Sequence, residues 1–399
     1  MTRSALGFIV LLGIVSLFAD MTYEGARSVT GPYLAILGAS ATIVGVVGGL
    51  GEFIGYGSRI IFGSLADRTG KYWIITISGY TLNLLAVPFL ALTSHWQIAA
   101  ILIIAERFGK AVRTPARDVM LSHAAKKIGS GWGFGLHEAM DQIGAVIGPV
   151  IISVVLYLRG SYSQSFAILL VPASLAIFVL VLSKKLYPTP QVFEKATEQR
   201  ISSSNAILTT KDNRKFSRIF WLYLLFVSIS VAGYVNFQLI SYHFQVASII
   251  SDNQIPVLFA IAMATDALVA LVMGRLFDKK GLLTLIAIPV LSVSIAPLVF
   301  SMGLSGAVIG MILWGAVMGT QDTIMRAVIG NTVPVAKRGL AYGIFNTAYG
   351  GSWLVGSVLM GLLYDTYISY VIFLSILLEL LSIPPLFYFI KRFTVKGNS

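Results

Sequence analysis

Twelve stretches of about 20 mostly apolar residues follow one another along this chain, at roughly 6–36, 42–66, 72–93, 97–122, 131–157, 163–184, 218–246, 254–277, 282–302, 304–330, 339–364 and 368–390. Each is long enough to cross a hydrocarbon core about 30 Å thick. Backbone inside a bilayer has no water to bond, and an α-helix satisfies its amide groups within one segment. A membrane β-barrel would show short alternating strands, whereas these runs are apolar on all sides. Charged residues make up only 12% of the chain, against about 25% in a soluble domain. The expected fold class is all-α and integral to the membrane, with segments 1 to 12 as spanning helices.

The net charge of +12 would suit nucleic acid if it were spread over one surface, but it is sorted by loop. With the N-terminus inside, Arg3, the loops after segments 2, 4, 6, 8 and 10, and the C-terminal tail hold 20 of the 29 Lys and Arg. The opposite loops hold Arg159 alone. This is the positive-inside bias. It puts both termini in the cytoplasm of a multi-pass plasma-membrane protein whose partner is the lipid bilayer, and it argues against nucleic acid. No cleavable signal peptide is evident, since the first apolar run exceeds a signal h-region of about 7–15 residues. With no cysteine in the chain, disulfides and thiolate metal sites are excluded.

The one long polar stretch, Lys184 to Arg218, lies at the midpoint and carries Pro188, Pro190 and Ser202–Ser204. It reads as a linker at 186–217 between a unit at 1–185 and a unit at 218–399. An internal repeat supports that division. Gly63-Ser-Leu-Ala-Asp67-Arg68-Thr-Gly70 and Gly274-Arg-Leu-Phe-Asp278-Lys279-Lys-Gly281 share the frame G-x-x-x-D-[RK]-x-G at a separation of 211 residues. Gly133-Phe134-Gly135 and Ala341-Tyr342-Gly343 repeat at a separation of 208. Repeats in matching order point to duplication, and in a membrane protein to a transporter.

At these residues the chain resembles the major facilitator superfamily, whose members carry G-x-x-x-D-[RK]-x-G-[RK] between helices 2 and 3 and often an echo between helices 8 and 9. Gly63, Asp67, Arg68, Gly70 and Lys71 match the first copy; the second departs at Leu282. The run from Arg107 to Asp118 and the run Phe134-Gly-Leu-His137-Glu138-Ala-Met-Asp141 are similar to helix-4 and helix-5 signatures of one prokaryotic branch. Gly144-x-x-x-Gly148-Pro149 resembles the helix-5 kink of proton-coupled exporters, although Ile152-Ser153 stands where those usually have two glycines. The resemblance implies the major facilitator fold: twelve transmembrane helices in two pseudo-symmetric six-helix bundles that rock around a central site. It also implies that helices 3, 6, 9 and 12 are outermost. Asp67 would then sit near the N-terminus of segment 11, around Lys337–Gly339, where a helix dipole favours negative charge. Together with Arg68 and Lys71 it would form a cytoplasmic gate. Plain positive-inside anchoring is the alternative for those two basic residues.

Charge inside a membrane is expensive and therefore informative. Asp20, Glu24 and Arg27 are spaced i, i+4, i+7 on one face of segment 1, and Glu52, Tyr56 and Arg59 repeat that spacing on segment 2. Segment 4 adds Glu106, Arg107, Lys110, Arg113, Arg117 and Asp118. Segment 5 adds Glu138 and Asp141, segment 8 Asp266, and segment 10 the i, i+4 pair Asp322 and Arg326. Helix ends excluded, segments 3, 6 and 9 have none, and segment 12 has only Glu379.

The expected cavity for substrate and proton coupling comprises Asp20, Glu24, Arg27, Glu52, Tyr56, Arg107, Glu138, Asp141, Asp322 and Arg326. A carboxylate taken partly out of water can exchange a proton near neutral pH. Arg107 would hold an anionic group or displace that proton. For Arg59, Arg113, Arg117 and Asp118, mutual neutralisation within the bundle is the competing reading. Asn236, Gln238, His243, Asn346, Tyr349 and Trp353 are weaker lining candidates, and His137 reads as a hydrogen-bonded helix residue.

No G-x-x-x-x-G-K-[ST] run appears, which disfavours an ATP-driven pump. No metal-ligand cluster and no cofactor are expected; the proton gradient would be the energy source. The function expected is secondary transport of a small-molecule substrate by a monomer, as proton-coupled efflux (antiport). Proton symport of a polar or anionic metabolite is the alternative. A transporter-like sensor or a membrane enzyme fits less well.

Overall fold

A computed structural model describes residues 2–158, 160–190, 192–193, 216–334 and 337–397. All regular structure among the described residues is helical. Segment 1 is α1 (Thr2–Ile36), and segment 2 divides at Ser58 into α2 (Ala41–Gly57) and α3 (Arg59–Thr69). Segments 3 to 5 are α4 (Tyr72–Phe89), α5 (Trp96–Ile128) and α6 (Ser130–Tyr157), and segment 6 is α7 (Tyr162–Ile168) with α8 (Leu170–Leu186). Segment 7 forms α9 (Arg218–Gly233) and α10 (Phe237–Val246), segment 8 α11 (Gln254–Lys280), and segment 9 α12 (Ala287–Ser292) and α13 (Ile295–Ser301). Segment 10 is α14 (Gly303–Thr320), a π-turn at Gln321–Met325 and α15 (Arg326–Thr332). Segments 11 and 12 are α16 (Arg338–Tyr364) and α17 (Ile368–Gly397). Most of the linker expected at 186–217 lies outside the described residues.

Among the described residues, eight helical runs are long and apolar enough to cross a membrane, one of them the fused stretch Gln254–Ser301 that joins segments 8 and 9. Length and apolarity alone thus give eight candidate spans; they do not by themselves show the twelve expected. Segments 2, 4 and 11 are absent from that set. α2 has 17 residues, α5 concentrates its charges between Glu106 and Asp118, and α16 is rich in glycine, serine and tyrosine. Exposed apolar side chains occur on these helices too, such as Ile101 and Val355, as they do on α4, α8 and α17 at Ile74, Phe178 and Phe373. Glu379 on α17 is fully buried and accepts hydrogen bonds from Ser230 Oγ at 3.0 Å and Ser292 Oγ at 2.7 Å.

The breaks have local causes. The Asn236 side chain accepts the Gln238 amide at 2.8 Å and starts α10 after the extended residues at 234–236. The last glycine of each repeated motif, Gly70 and Gly281, has a φ near +60° (63° and 58°) that favours glycine as the chain turns out of its helix. These two turns mark the same end of the molecule, called here the motif end.

Packing fixes the opposite, far end. α1 crosses α6 and α10, and α2 lies along α16. Gly31 of α1 packs against the Gln238 carbonyl and Ser241 of α10, and Gly45 of α2 against the Ser357 carbonyl of α16. Asn236 donates to Ser357 Oγ at 3.2 Å, and Ser153 donates to the Asn253 carbonyl at 2.7 Å. The two sequence halves are thus in close contact at the far end.

Candidate functional site

A cavity of about 600 Å³ lies between the halves. All ten residues expected to line it do so: Asp20, Glu24, Arg27, Glu52, Tyr56, Arg107, Glu138, Asp141, Asp322 and Arg326. Its deep wall is built on Glu52. One oxygen of that carboxylate takes Arg27 Nη2 from α1 at 2.9 Å and lies 3.7 Å from Arg107 Nη2 of α5. Arg27 also reaches Glu24 at 3.7 Å, which Lys110 approaches at 3.8 Å. Arg107 Nε is 3.2 Å from Glu106 Oε2, while Asn83 donates to Glu106 Oε1 at 2.7 Å. Removing two charges from water is compensated only when good geometry satisfies both. Here six ions on three helices share partners.

A second cluster lies nearer the motif end. Arg117 binds Asp118 at 2.8 Å, donates to Ser16 Oγ at 3.1 Å and stands 4.0 Å from Asp141. His137 contacts Ser16 Oγ at 3.0 Å and Asp141 at 3.6 Å, so it is a bonded member of the cavity wall. Lys110 sits 3.9 Å over the Tyr23 ring, and Arg113 4.1 Å over Tyr80, where aromatic faces attract cations. Arg113 Nε and Nη1, Asp20 Oδ1 and Asp141 Oδ1 are buried without a hydrogen-bond partner.

Exposure rises toward the motif end. The Glu52 side chain is 9% exposed, Asp118 44% and Arg326 45%. The cavity therefore opens at the motif end and is closed by the far-end seam. There Asn236, Gln238 and His243 are buried, with His243 on Tyr364 at 2.8 Å; they plug the seam and do not line the cavity. Tyr349 and Trp353 are also buried, Tyr349 packing 4.9 Å from Tyr56.

Asp67, Arg68 and Lys71 are exposed, as are Asp278 and Lys279. Among the described residues, none of these side chains makes an ion pair. The contact expected of Asp67 with the start of α16 is not made in this conformation, as an open motif end requires. Gly63 and Gly274 occupy matching positions, where an added Cβ would lie 3.6 Å from Pro115 or Thr323. Gly144 and Gly148 lie against the Leu17 and Met21 carbonyls, so α6, which contains Pro149, crosses α1 at backbone distance.

The family model described as Major Facilitator Superfamily matches residues 10–301 and 239–399. The chain belongs to this superfamily. Among relatives of the facilitator, a protein of Mycobacterium tuberculosis is 39% identical over 393 residues, covering 97% of this chain and 94% of that one. An MFS-type transporter of Methanocaldococcus jannaschii is 25% identical over 364 residues, covering 89% and 88%. Among solved structures, the nucleoside transporter NupG shares the fold with a TM-score of 0.71 at 15% identity, over 97% of this chain and 99% of that one. The peptide transporter POT, in complex with sulfate, gives 0.71 at 14% identity over 94% and 93%. The facilitator is a membrane transporter.

The sequence reading set aside part of this site. Arg59, Lys110, Arg113, Arg117, Asp118, His137 and Asp266 also line the cavity. Their charge inside apolar segments was a usable signal. Their orientation was not, because it depends on how each of α3, α5, α6 and α11 is rotated against its neighbours.

Proposed function

We propose that this facilitator is a proton-coupled exporter of a small polar organic solute, working as a monomer by alternating access. In this reading the chain crosses the plasma membrane twelve times, with segments 2, 4 and 11 among the spans. The units at 1–185 and 218–399 are the moving bodies, and the motif end and both termini are cytoplasmic. The conformation at hand is then open to the cytoplasm.

The observation that carries the reading is the pair of buried carboxylate oxygens, Asp20 Oδ1 and Asp141 Oδ1, left without a hydrogen-bond partner at the α1–α6 crossing. A buried carboxylate oxygen that accepts no hydrogen bond is costly, and a proton on that oxygen neutralises the group. A solute entering from the cytoplasm would displace that proton's hold on the wall, and reopening outward would reload it. The Gly144 and Gly148 contacts that bring α6 onto α1 support export, since they form the exporter-like part of the sequence.

Flux in proteoliposomes under an imposed pH gradient, with a solute taken from a thermal-shift screen of drugs, sugars and organic anions, tests this. Asp20→Asn is expected to abolish gradient-driven flux at least tenfold while leaving solute exchange in place. Full gradient-driven flux in that variant overturns coupling through Asp20. Uptake of an anionic metabolite by symport is the second reading, favoured by the two unpartnered nitrogens of Arg113. Protons moving with the solute, and not against it, would select it.

A further inference from the structure

Asp365 follows the last residue of α16, a helix C-terminus, where the macrodipole disfavours an acid. Its local position therefore gives no reason for a carboxylate. The reason lies 324 residues away. Oδ1 accepts the backbone N–H of Ala41 at 3.0 Å; Oδ2 accepts the backbone N–H of Thr42 at 2.9 Å and its hydroxyl at 2.6 Å. These are the first two residues of α2. Ser40 caps the third, Ile43, with its own hydroxyl at 3.3 Å. The first turn of α2 contains no acidic residue. The carboxylate that an N-terminus favours is supplied from the other half of the chain, and the N–H groups left over by helix geometry are satisfied. Burial pushes the Asp365 carboxyl up, but the bonds from Thr42, Ala41 and Ser40 outweigh it and hold the group below the usual carboxylate range.

We propose that Asp365 is a gating residue for transport: a latch that holds the far end shut by capping α2 from α16. The same helix pair carries Asp67 at its other end, diagonally opposite. Asp67 ends α3 and faces the start of α16 in the expected motif-end gate, whereas Asp365 ends α16 and binds the start of α2. Opening the far end parts α2 from α16 and must break three charge-assisted bonds at once. In the present conformation the far latch is made and the motif-end latch is not, so the two acids report opposite states of one rocking pair. The inference rests on alternating access and not on the coupling ion or the direction of transport.

The absence of native cysteine makes the test direct. Ser357→Cys places a thiol in the far-end seam, where the serine is 3% exposed. The rate at which a bulky maleimide labels it, in detergent and without any gradient, reports transient opening of that seam. In the Ser357→Cys background, Asp365→Asn should raise the labelling rate about tenfold, the scale set by losing bonds to a charged group. Thr42→Val should raise it less, and Asp365→Glu should restore most of the protection. Asp67→Asn, a change at the unlatched end, should not raise it. Rates within twofold of the parent in both Asp365→Asn and Thr42→Val overturn the proposal. So does an equal rise with Asp67→Asn, which would mark general loosening. Because no flux is measured, this result stands apart from success or failure of the proton-coupling test.

Discussion

The two walls of the cavity share a scaffold but not a chemistry. Gly148 of α6 packs against the Met21 carbonyl of α1, and Gly356 of α16 packs against the Ala232 carbonyl of α9. The glycines are 208 residues apart and the carbonyls 211, the two separations at which the sequence repeats itself. The same backbone crossing has been kept twice. Of the fifteen Asp, Glu, Lys and Arg side chains lining the cavity, however, twelve come from α1 to α6 and only Asp266, Asp322 and Arg326 from later helices. Close backbone packing limits side-chain choice to glycine and so preserves symmetry. Cavity-facing positions carry no such limit, and charge has accumulated on one wall. Under the proposed function, recognition and coupling would fall to the first half, with the second as a counter-surface that closes on it.

The sharpest way to break this comparison is at Glu52. Glu52→Gln removes the shared acceptor of Arg27 and leaves Arg107 with one carboxylate fewer, in a site where those side chains are 6–9% exposed. Breaking a buried ion pair from one side costs about 3–5 kcal/mol. The variant should therefore lose most transport and melt well below the parent in a detergent thermal-shift assay. A parent-like melting curve with full flux would remove the deep wall from the mechanism.

The crossing glycines test the symmetric part. A Cβ on Gly148 or Gly356 would meet a carbonyl oxygen that belongs to backbone and cannot swing aside. Overpacking of this kind costs about 1–3 kcal/mol, so Gly148→Ala and Gly356→Ala should lower thermal stability by similar amounts. A clear inequality between them would show that the scaffold is no more symmetric than the chemistry.

The sequence carried this division unevenly. The i, i+4, i+7 spacing of Asp20, Glu24 and Arg27 needs only helix geometry to place them on one face, and all three line the cavity. Arg113 was legible as a charge but not as an unpartnered one, because its surroundings come from Tyr80 and Tyr23 on other helices. Glu379 sits on a helix expected to face lipid, and only tertiary packing turns it toward Ser230 and Ser292. The π-turn at Gln321–Met325 and the α9–α10 break left no periodic mark, since short irregular turns inside apolar runs preserve the apolar run. Asp365 was least legible of all: a lone acid after a helix gives no hint of an acceptor role 324 residues away.

The smallest expected effect falls on the sparse wall. Asp322 and Arg326 form an i, i+4 pair at 3.5 Å with side chains 37% and 45% exposed. Such exposed pairs contribute about 0.3–0.5 kcal/mol, so Asp322→Asn should leave the melting temperature within about one degree of the parent, since even 1 kcal/mol shifts a domain of 150–250 residues by only about 2–4 °C. Any loss of transport in this variant then cannot be charged to folding. It would measure what the counter-surface contributes to the solute or to closure on it. Flux within about twofold of the parent keeps recognition on the first wall. A loss as deep as that of Glu52→Gln, in a protein that melts normally, would mean that one carboxylate on the bare wall weighs as much as the crowded one. The division of labour between the halves would then have to be abandoned, although their shared scaffold would stand.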